Sequence, residues 1–223
     1  MPKICVYQKK VVLLQRKSED TMKRILLFLL MSVLSLGAVC AQEIDIEQIR
    51  RQAKAGDKQA QYNLGVYYSQ VEVDYKQAVK WYKKSAKQGY MYAQFNLGHC
   101  YENGHGVAVD YKEAMAWYEK AAAQGDAFAI NNLGTMYHSG KGVKMNRKKA
   151  FKYYLQSAEM GHAPAQYNVA YCYYMGDGVK QSTETALQWF RAAADQGVTY
   201  AQDMVTHIEE NPKTLLIQFI PQE

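Results

Sequence analysis

One six-residue phrase recurs along this chain at a nearly constant step. Ala60-Gln61-Tyr62-Asn63-Leu64-Gly65 returns as Ala93-Gln94-Phe95-Asn96-Leu97-Gly98, then as Ala129-Ile130-Asn131-Asn132-Leu133-Gly134 and as Ala165-Gln166-Tyr167-Asn168-Val169-Ala170. The step is 33 residues once and 36 residues thereafter. Self-similarity at this period marks a tandem array, in which each unit is one supersecondary motif that must stack on its neighbours to bury its apolar face. Two further columns keep the same register: Gly56, Gly89, Gly125, Gly161 and Gly197, and Trp81, Trp117, Tyr153 and Trp189. The first unit is shorter where the later ones carry Gly104-His105-Gly106, Gly140-Lys141-Gly142 and Gly176-Asp177-Gly178. The missing piece is therefore loop.

Within a unit the apolar spacing is helical twice over. In the second unit Ala93, Leu97, Gly98 and Tyr101 form one stripe, and Ala114, Trp117, Tyr118, Ala121 and Ala122 another, so each unit reads as helix, turn, helix. Asp74, Asp110, Asn146 and Ser182 are a column of N-caps for the second helix, and Asp110 with Glu113 spells a capping box. Gly89, Gly125, Gly161 and Gly197 are placed to end that helix in a left-handed conformation. Small residues such as Gly98 and Ala114 let backbones approach, while Trp117 and Tyr118 fill the space between units. Val107, Val143 and Val179 are expected to pin the glycine loops to the core.

The array divides into a capping helix over 42–56, repeats over 57–89, 90–125, 126–161 and 162–197, and a second capping helix over 198–210. The apolar tail 211–223 is expected to pack on the final helices. Ahead of the array, Met22-Lys23-Arg24, an apolar run from Ile25 to Leu36 and Val39-Cys40-Ala41 read as a secretory signal peptide over 22–41, too short for a comfortable membrane span. Residues 1–21 then read as an over-extended start with Met22 as initiator. The alternatives are a retained anchor and a lipidated Cys40, and in the latter case the chain is attached to a membrane. Export to the periplasm or beyond is the expectation, with no transmembrane span in the mature chain.

Removing residues 1–41 takes seven of the 27 basic and two of the 21 acidic residues, leaving 20 against 19. The positive surplus belongs to the leader, and by itself it implies neither a nucleic-acid nor an acidic-membrane partner. A local exception is Lys141, Lys144, Arg147, Lys148, Lys149 and Lys152, which is either a solvated helix start or an anionic contact. Of four cysteines only Cys100 and Cys172 remain. They share one column two units apart, about 20 Å by helix packing, which is too far to bridge.

The pattern Ala-x-x-x-Leu-Gly-x-x-Tyr, a Gly-x-Gly-Val loop, Asp-x-x-x-Ala-x-x-Trp-Tyr and Ala-Ala-x-Gln-Gly resembles the Sel-one-like repeat family, a longer-looped relative of the tetratricopeptide repeat. The resemblance covers about residues 43–210 and departs in the first-unit deletion and at Val169-Ala170, where Leu-Gly is usual and a looser helix approach is implied. It implies an all-α fold, a right-handed superhelical solenoid of stacked antiparallel helix pairs, acting as an adaptor for a protein or peptide. By analogy with the tetratricopeptide relatives, Asn63, Asn96, Asn132 and Asn168 line a concave groove and hydrogen-bond a peptide backbone. Their alternative is to bond neighbouring helices and serve the fold. The varying column His99, Thr135 and Tyr171, with Val66, is where specificity is expected.

Some secreted, cysteine-rich members of that family are described as weak β-lactamase-like hydrolases, which makes an enzyme the alternative reading. The residues do not favour it: the mature chain holds no Ser-x-x-Lys and no Gly-x-Ser-x-Gly, and two lone cysteines cannot supply a disulfide in each unit. His99, His105, His138, His162 and His207 are dispersed, with none at ligand spacing from another His or Cys, so no metal, cofactor or catalytic residue is assigned. The glycine loops follow no strand and recur as connectors, unlike phosphate loops.

Overall fold

A computed structural model describes residues 45–211. The leader, the residues before it and the tail beyond Asn211 lie outside the described residues. Among the described residues, those from Glu47 to Asn211 form one compact unit. Among the described residues there are ten helices and no strand: α1 (Ile46–Ala55), α2 (Lys58–Gln70), α3 (Tyr75–Lys87), α4 (Met91–Asn103), α5 (Tyr111–Ala122), α6 (Ala127–Ser139), α7 (Arg147–Glu159), α8 (Ala163–Met175), α9 (Thr183–Asp195) and α10 (Thr199–Glu210). From α2 to α10 each helix packs chiefly on its predecessor and its successor, which makes an all-α, tetratricopeptide-like solenoid.

The second helices begin where their side chains can cap them. Asp74 accepts from the Gln77 N–H, Asp110 from those of Lys112 and Glu113, Asn146 from that of Lys149 and Ser182 from that of Thr185. Only half of the expected capping box at Asp110 has its intended partner. The Asp110 N–H donates instead to the Tyr101 carbonyl at 2.9 Å, so Glu113 has no orphan donor to reach back to. That loop-closing bond is itself a column: Asn146 to Tyr137 at 2.8 Å, Ser182 to Tyr173 at 2.9 Å and, in the shortened first unit, Asp74 to Tyr68 at 2.8 Å. The deletion thus leaves the closure intact. Its consequence is local, because Val73 is forced to φ +53°, a region a β-branched residue rarely enters.

Close packing inside each unit rests on an aromatic ring laid over a residue without a side chain. A Cβ on Gly98 would come within 2.8 Å of the Tyr118 ring, and Gly65 faces Tyr82 and Gly134 faces Tyr154 in the same way. In the fourth unit the pair becomes Ala170 and Phe190, both fully buried, so the added methyl is accommodated without opening the contact to solvent. Tyr118 also works between units, sharing a buried cluster with Ala129, Leu133 and Met136 of the next unit. Trp117 faces the other way, packing into the cluster of Ala78, Val79, Tyr82 and Leu97. Val107, Val143 and Val179 pack half-buried against the core as expected. Cys100 and Cys172 are buried free thiols in separate clusters, and burial pushes them up to about 11 and about 12.

Two sets of paired substitutions hold the array together. The buried Gln61, Gln94 and Gln166 accept from Gln88, Gln124 and Gln196 at 2.8, 2.7 and 2.7 Å, tying the two helices of a unit. In the third unit both partners change at once, to Ile130 and Met160, so no amide is left unsatisfied. Between units, the middle residue of each glycine loop meets the first residue of the preceding unit's second helix. His105 stacks on Tyr75 with centroids 5.0 Å apart, Lys141 lies 5.4 Å over the Tyr111 ring, and Asp177 accepts from Arg147 at 2.7 Å.

The second loop glycine makes that meeting possible. At Gly106, φ is +74° and a Cβ would run into the backbone of Tyr75. Gly125 has a comparable φ of +89° but faces open space. Gly106→Ala is therefore expected to cost about 2–4 kcal/mol, combining conformational strain with a backbone clash, and Gly125→Ala about 1 kcal/mol from strain alone. Urea unfolding of the two variants side by side measures the difference; equal losses would remove the loop-to-helix contact from the account.

Candidate partner-binding face

The first helices are almost uncharged. α2, α4, α6 and α8 together contain one lysine and one glutamate, and their outward positions are held by aromatic and amide side chains. The asparagine ladder runs along them without being uniform. Asn63 is exposed and borders an open hollow between α1 and α2, lined also by Gln52, Asp57 and Gln59. Asn96 is half-buried beside the Tyr62 and Tyr82 hydroxyls, and Asn132, beside that of Tyr118, accepts from Asn131 at 3.4 Å. Asn168 donates to Asn131 at 2.9 Å across the boundary between α8 and α6. From Asn96 onward each rung thus has a partner within the array, and Asn63 is the rung that faces solvent.

The varying column splits in the same way. His99 and Tyr171 are exposed, whereas Thr135 is half-buried, donating to the Asn131 carbonyl and accepting from the Tyr154 hydroxyl, both at 3.3 Å. Val66 packs half-buried against the α3–α4 cluster. Of these positions, His99 and Tyr171 are the ones an outside molecule can reach. The His99 imidazole is held below the ordinary histidine range, first by burial of part of the ring and then by the nearby His105, so it is neutral at pH 7.

Sequence reasoning missed the aromatic surface beside these columns. Tyr92, Phe128 and Tyr200 occupy one column, on α4, α6 and α10, interrupted on α8 by Pro164, and are 51%, 56% and 48% exposed. They rest on an inner row of aromatics: Tyr92 on Tyr62, Phe128 on Phe95, and Tyr200 on Tyr167 with centroids 4.5 Å apart. Rings braced from below lose little freedom when a partner covers them, which suits a binding surface. The signal was present in the aromatic residue directly before the alanine that opens the repeat phrase, in Tyr92-Ala93, Phe128-Ala129 and Tyr200-Ala201, but a period of 3.6 assigns those rings to a flank of the helix without saying whether a neighbour covers them.

The densest charged cluster among the described residues joins two units. Asp177, 8% exposed, accepts from His138 at 2.8 Å and from Arg147 at 2.7 Å. Burial alone would raise its carboxyl, but the Arg147 and His138 hydrogen bonds outweigh that and hold it below the usual carboxylate range. No serine, threonine or cysteine is bonded to this histidine, and the arrangement is a brace. A depressed carboxylate contributes stability above its unfolded pKa and loses it as pH falls through the folded one. Asp177→Asn is expected to lower the melting temperature at pH 7 by about 2–4 °C, and the gap should begin to narrow below about pH 4, where the unfolded carboxyl takes up its proton, and close as pH falls through the lower folded pKa. Melting curves across that range check it; a gap independent of pH would assign the loss to shape.

Comparison with known proteins agrees with this geometry. The Sel1 repeat family matches residues 58–90, 92–126, 127–162 and 163–198, and the chain belongs to that family. A crystal structure of a Sel1 repeat protein from Oxalobacter formigenes superposes with a TM-score of 0.72 at 32% identity, covering 81% of this chain and 72% of that one. A protective antigen of uropathogenic Escherichia coli with an SLR fold gives a TM-score of 0.72 at 37% identity over 74% of this chain, which spans only 36% of the antigen. An F-box protein of Arabidopsis thaliana is 41% identical over 64 residues, 28% of this chain and 18% of that protein. Sel1 repeats build helical scaffolds commonly used for protein interaction.

Proposed function

We propose that this chain is an exported helical-repeat adaptor that binds a protein or peptide through the concave face of its first helices. The observation that carries the reading is the uncharged face itself, where exposed Tyr92, Phe128 and Tyr200 stand beside the exposed His99 and Tyr171. Braced aromatics supply contact area, and Asn63 offers a free amide to a peptide backbone. Asn96, Asn132 and Asn168 contribute by holding the rings and helices in place, and Thr135 by fixing α6 against α7. The reading requires no cofactor and no metal.

A photo-crosslinking amino acid at Phe128 is expected to capture a discrete polypeptide from the cell envelope. The same probe at Gln156, exposed on α7, captures none. Serine at Tyr92 and Phe128 should abolish capture by a second probe at Tyr171 while moving the melting temperature by less than about 2 °C, since exposed substitutions are nearly neutral. Equal crosslinks from both helix sets would refute the assignment of the face.

Export rests on the leader over 22–41. Mass spectrometry of the protein recovered from cells should find an N-terminus at Gln42. A lipid-modified N-terminal Cys40 or an intact leader would replace free export with a membrane-attached state.

A further inference from the structure

The second helices carry a charge pattern that the groove does not use. α3, α5 and α7 contain eleven basic residues and three acidic ones, and every one of the basic side chains is exposed. On α3, Lys76, Lys80, Lys83, Lys84 and Lys87 follow one helical stripe with no acidic residue in the helix. Lys84 and Lys120 lie over the Trp81 and Trp117 rings at 4.3 and 3.9 Å, which positions their stems. The balance of the whole chain hides this pattern, because α9 and α10 hold five acidic residues against one arginine.

Two columns of this pattern coincide. Lys76, Lys112 and Lys148 occupy the same place in three successive units, in the first helical turn, where a cation works against the helix macrodipole, so helix stability does not account for them. Three residues ahead of each stands an apolar side chain in solvent: Val73 at 61%, Val109 at 51% and Met145 at 54% exposure. The fourth unit abandons both columns together, with Gln181 and Glu184.

We propose that this edge of units one to three docks on an anionic lipid bilayer, with Val73, Val109 and Met145 entering the headgroup layer and the lysines meeting lipid phosphates. The apolar tips come one per repeat, about 10 Å apart, separated by polar residues. A protein interface needs a contiguous desolvated core, which this row lacks, whereas a bilayer accepts isolated apolar tips between headgroups. Lysines on flexible stems suit phosphates whose positions are not fixed. A nucleic-acid backbone would use the lysines but gain nothing from the tips. The proposal is independent of the peptide-binding reading, which uses the other set of helices.

Flotation of the full chain with phosphatidylcholine vesicles, with and without one-third phosphatidylglycerol, tests it. The apolar run of residues 25–36 is common to every variant, so binding to the neutral vesicles sets its baseline. Wild type is expected to bind the anionic vesicles at least about tenfold tighter at low salt, with the difference collapsing near 0.5 M salt as charges are screened. Glutamate at Lys76, Lys112 and Lys148 should remove most of that preference, leaving the part that the basic residues of 1–41 give every variant. Serine at Val73, Val109 and Met145 should weaken it about threefold or more while leaving the salt dependence, and the melting temperatures of both variants should stay at the wild-type value. Three results would overturn the proposal: wild type showing no preference for anionic vesicles, the charge variant retaining most of that preference, or the tip variant binding as wild type, which would leave a general polyanion surface.

Discussion

The contact on which this structure depends is an aromatic ring lying against a backbone stripped of its side chain. Where Tyr82, Tyr118 and Tyr154 cover Gly65, Gly98 and Gly134, two helices approach closely enough for the rest of each unit to be buried. A lone helix pair of this composition could not hold that approach, because one side of each pair would remain in water. The next unit covers it, and Trp117, packing back onto α3 and α4, is the residue through which the second unit completes the first. Stability is accordingly distributed along the array, with each unit needing its neighbour.

Polar groups inside the array follow the same rule of pairing. The glutamine clamps vanish in the third unit only because both members vanish, and the loop braces swap a ring stack for a cation over a ring and then for an ion pair while the contacting positions stay fixed. A buried amide without its partner would cost more than the bond gives, so such changes come in pairs. The geometry of the clamp is what is kept, and the chemistry filling it is free to differ from unit to unit.

This freedom gives the scaffold two unlike surfaces. First helices turn an uncharged aromatic face outward, and second helices in the first three units turn out lysines. Repetition converts each exposed position into a row, so a single residue type at one column becomes a linear feature about 10 Å in period. A solenoid built this way can present one partner to one face and another to the opposite edge without either disturbing the core.

Much of this was legible in the sequence because the repeat supplies its own alignment. The family, the all-α solenoid, the N-cap column and the loop valines all follow from columns that agree across units, since local capping and apolar spacing are short-range physics. The reciprocal bond of the Asp110 capping box was not legible, because the Tyr101 carbonyl in the last turn of α4, nine residues back, competes for the same N–H. Nor was the division of labour in the Asn ladder and the varying column: Asn168 against Asn131, Thr135 against Tyr154, and the openness of Tyr92 and Phe128 depend on which helix of another unit lies alongside. Sequence alone settled what repeats and where each helix starts, because those are decided within a few residues of chain. Only the tertiary structure decided which of the repeated side chains are covered and which remain for a partner, because burial is set by neighbours more than thirty residues away.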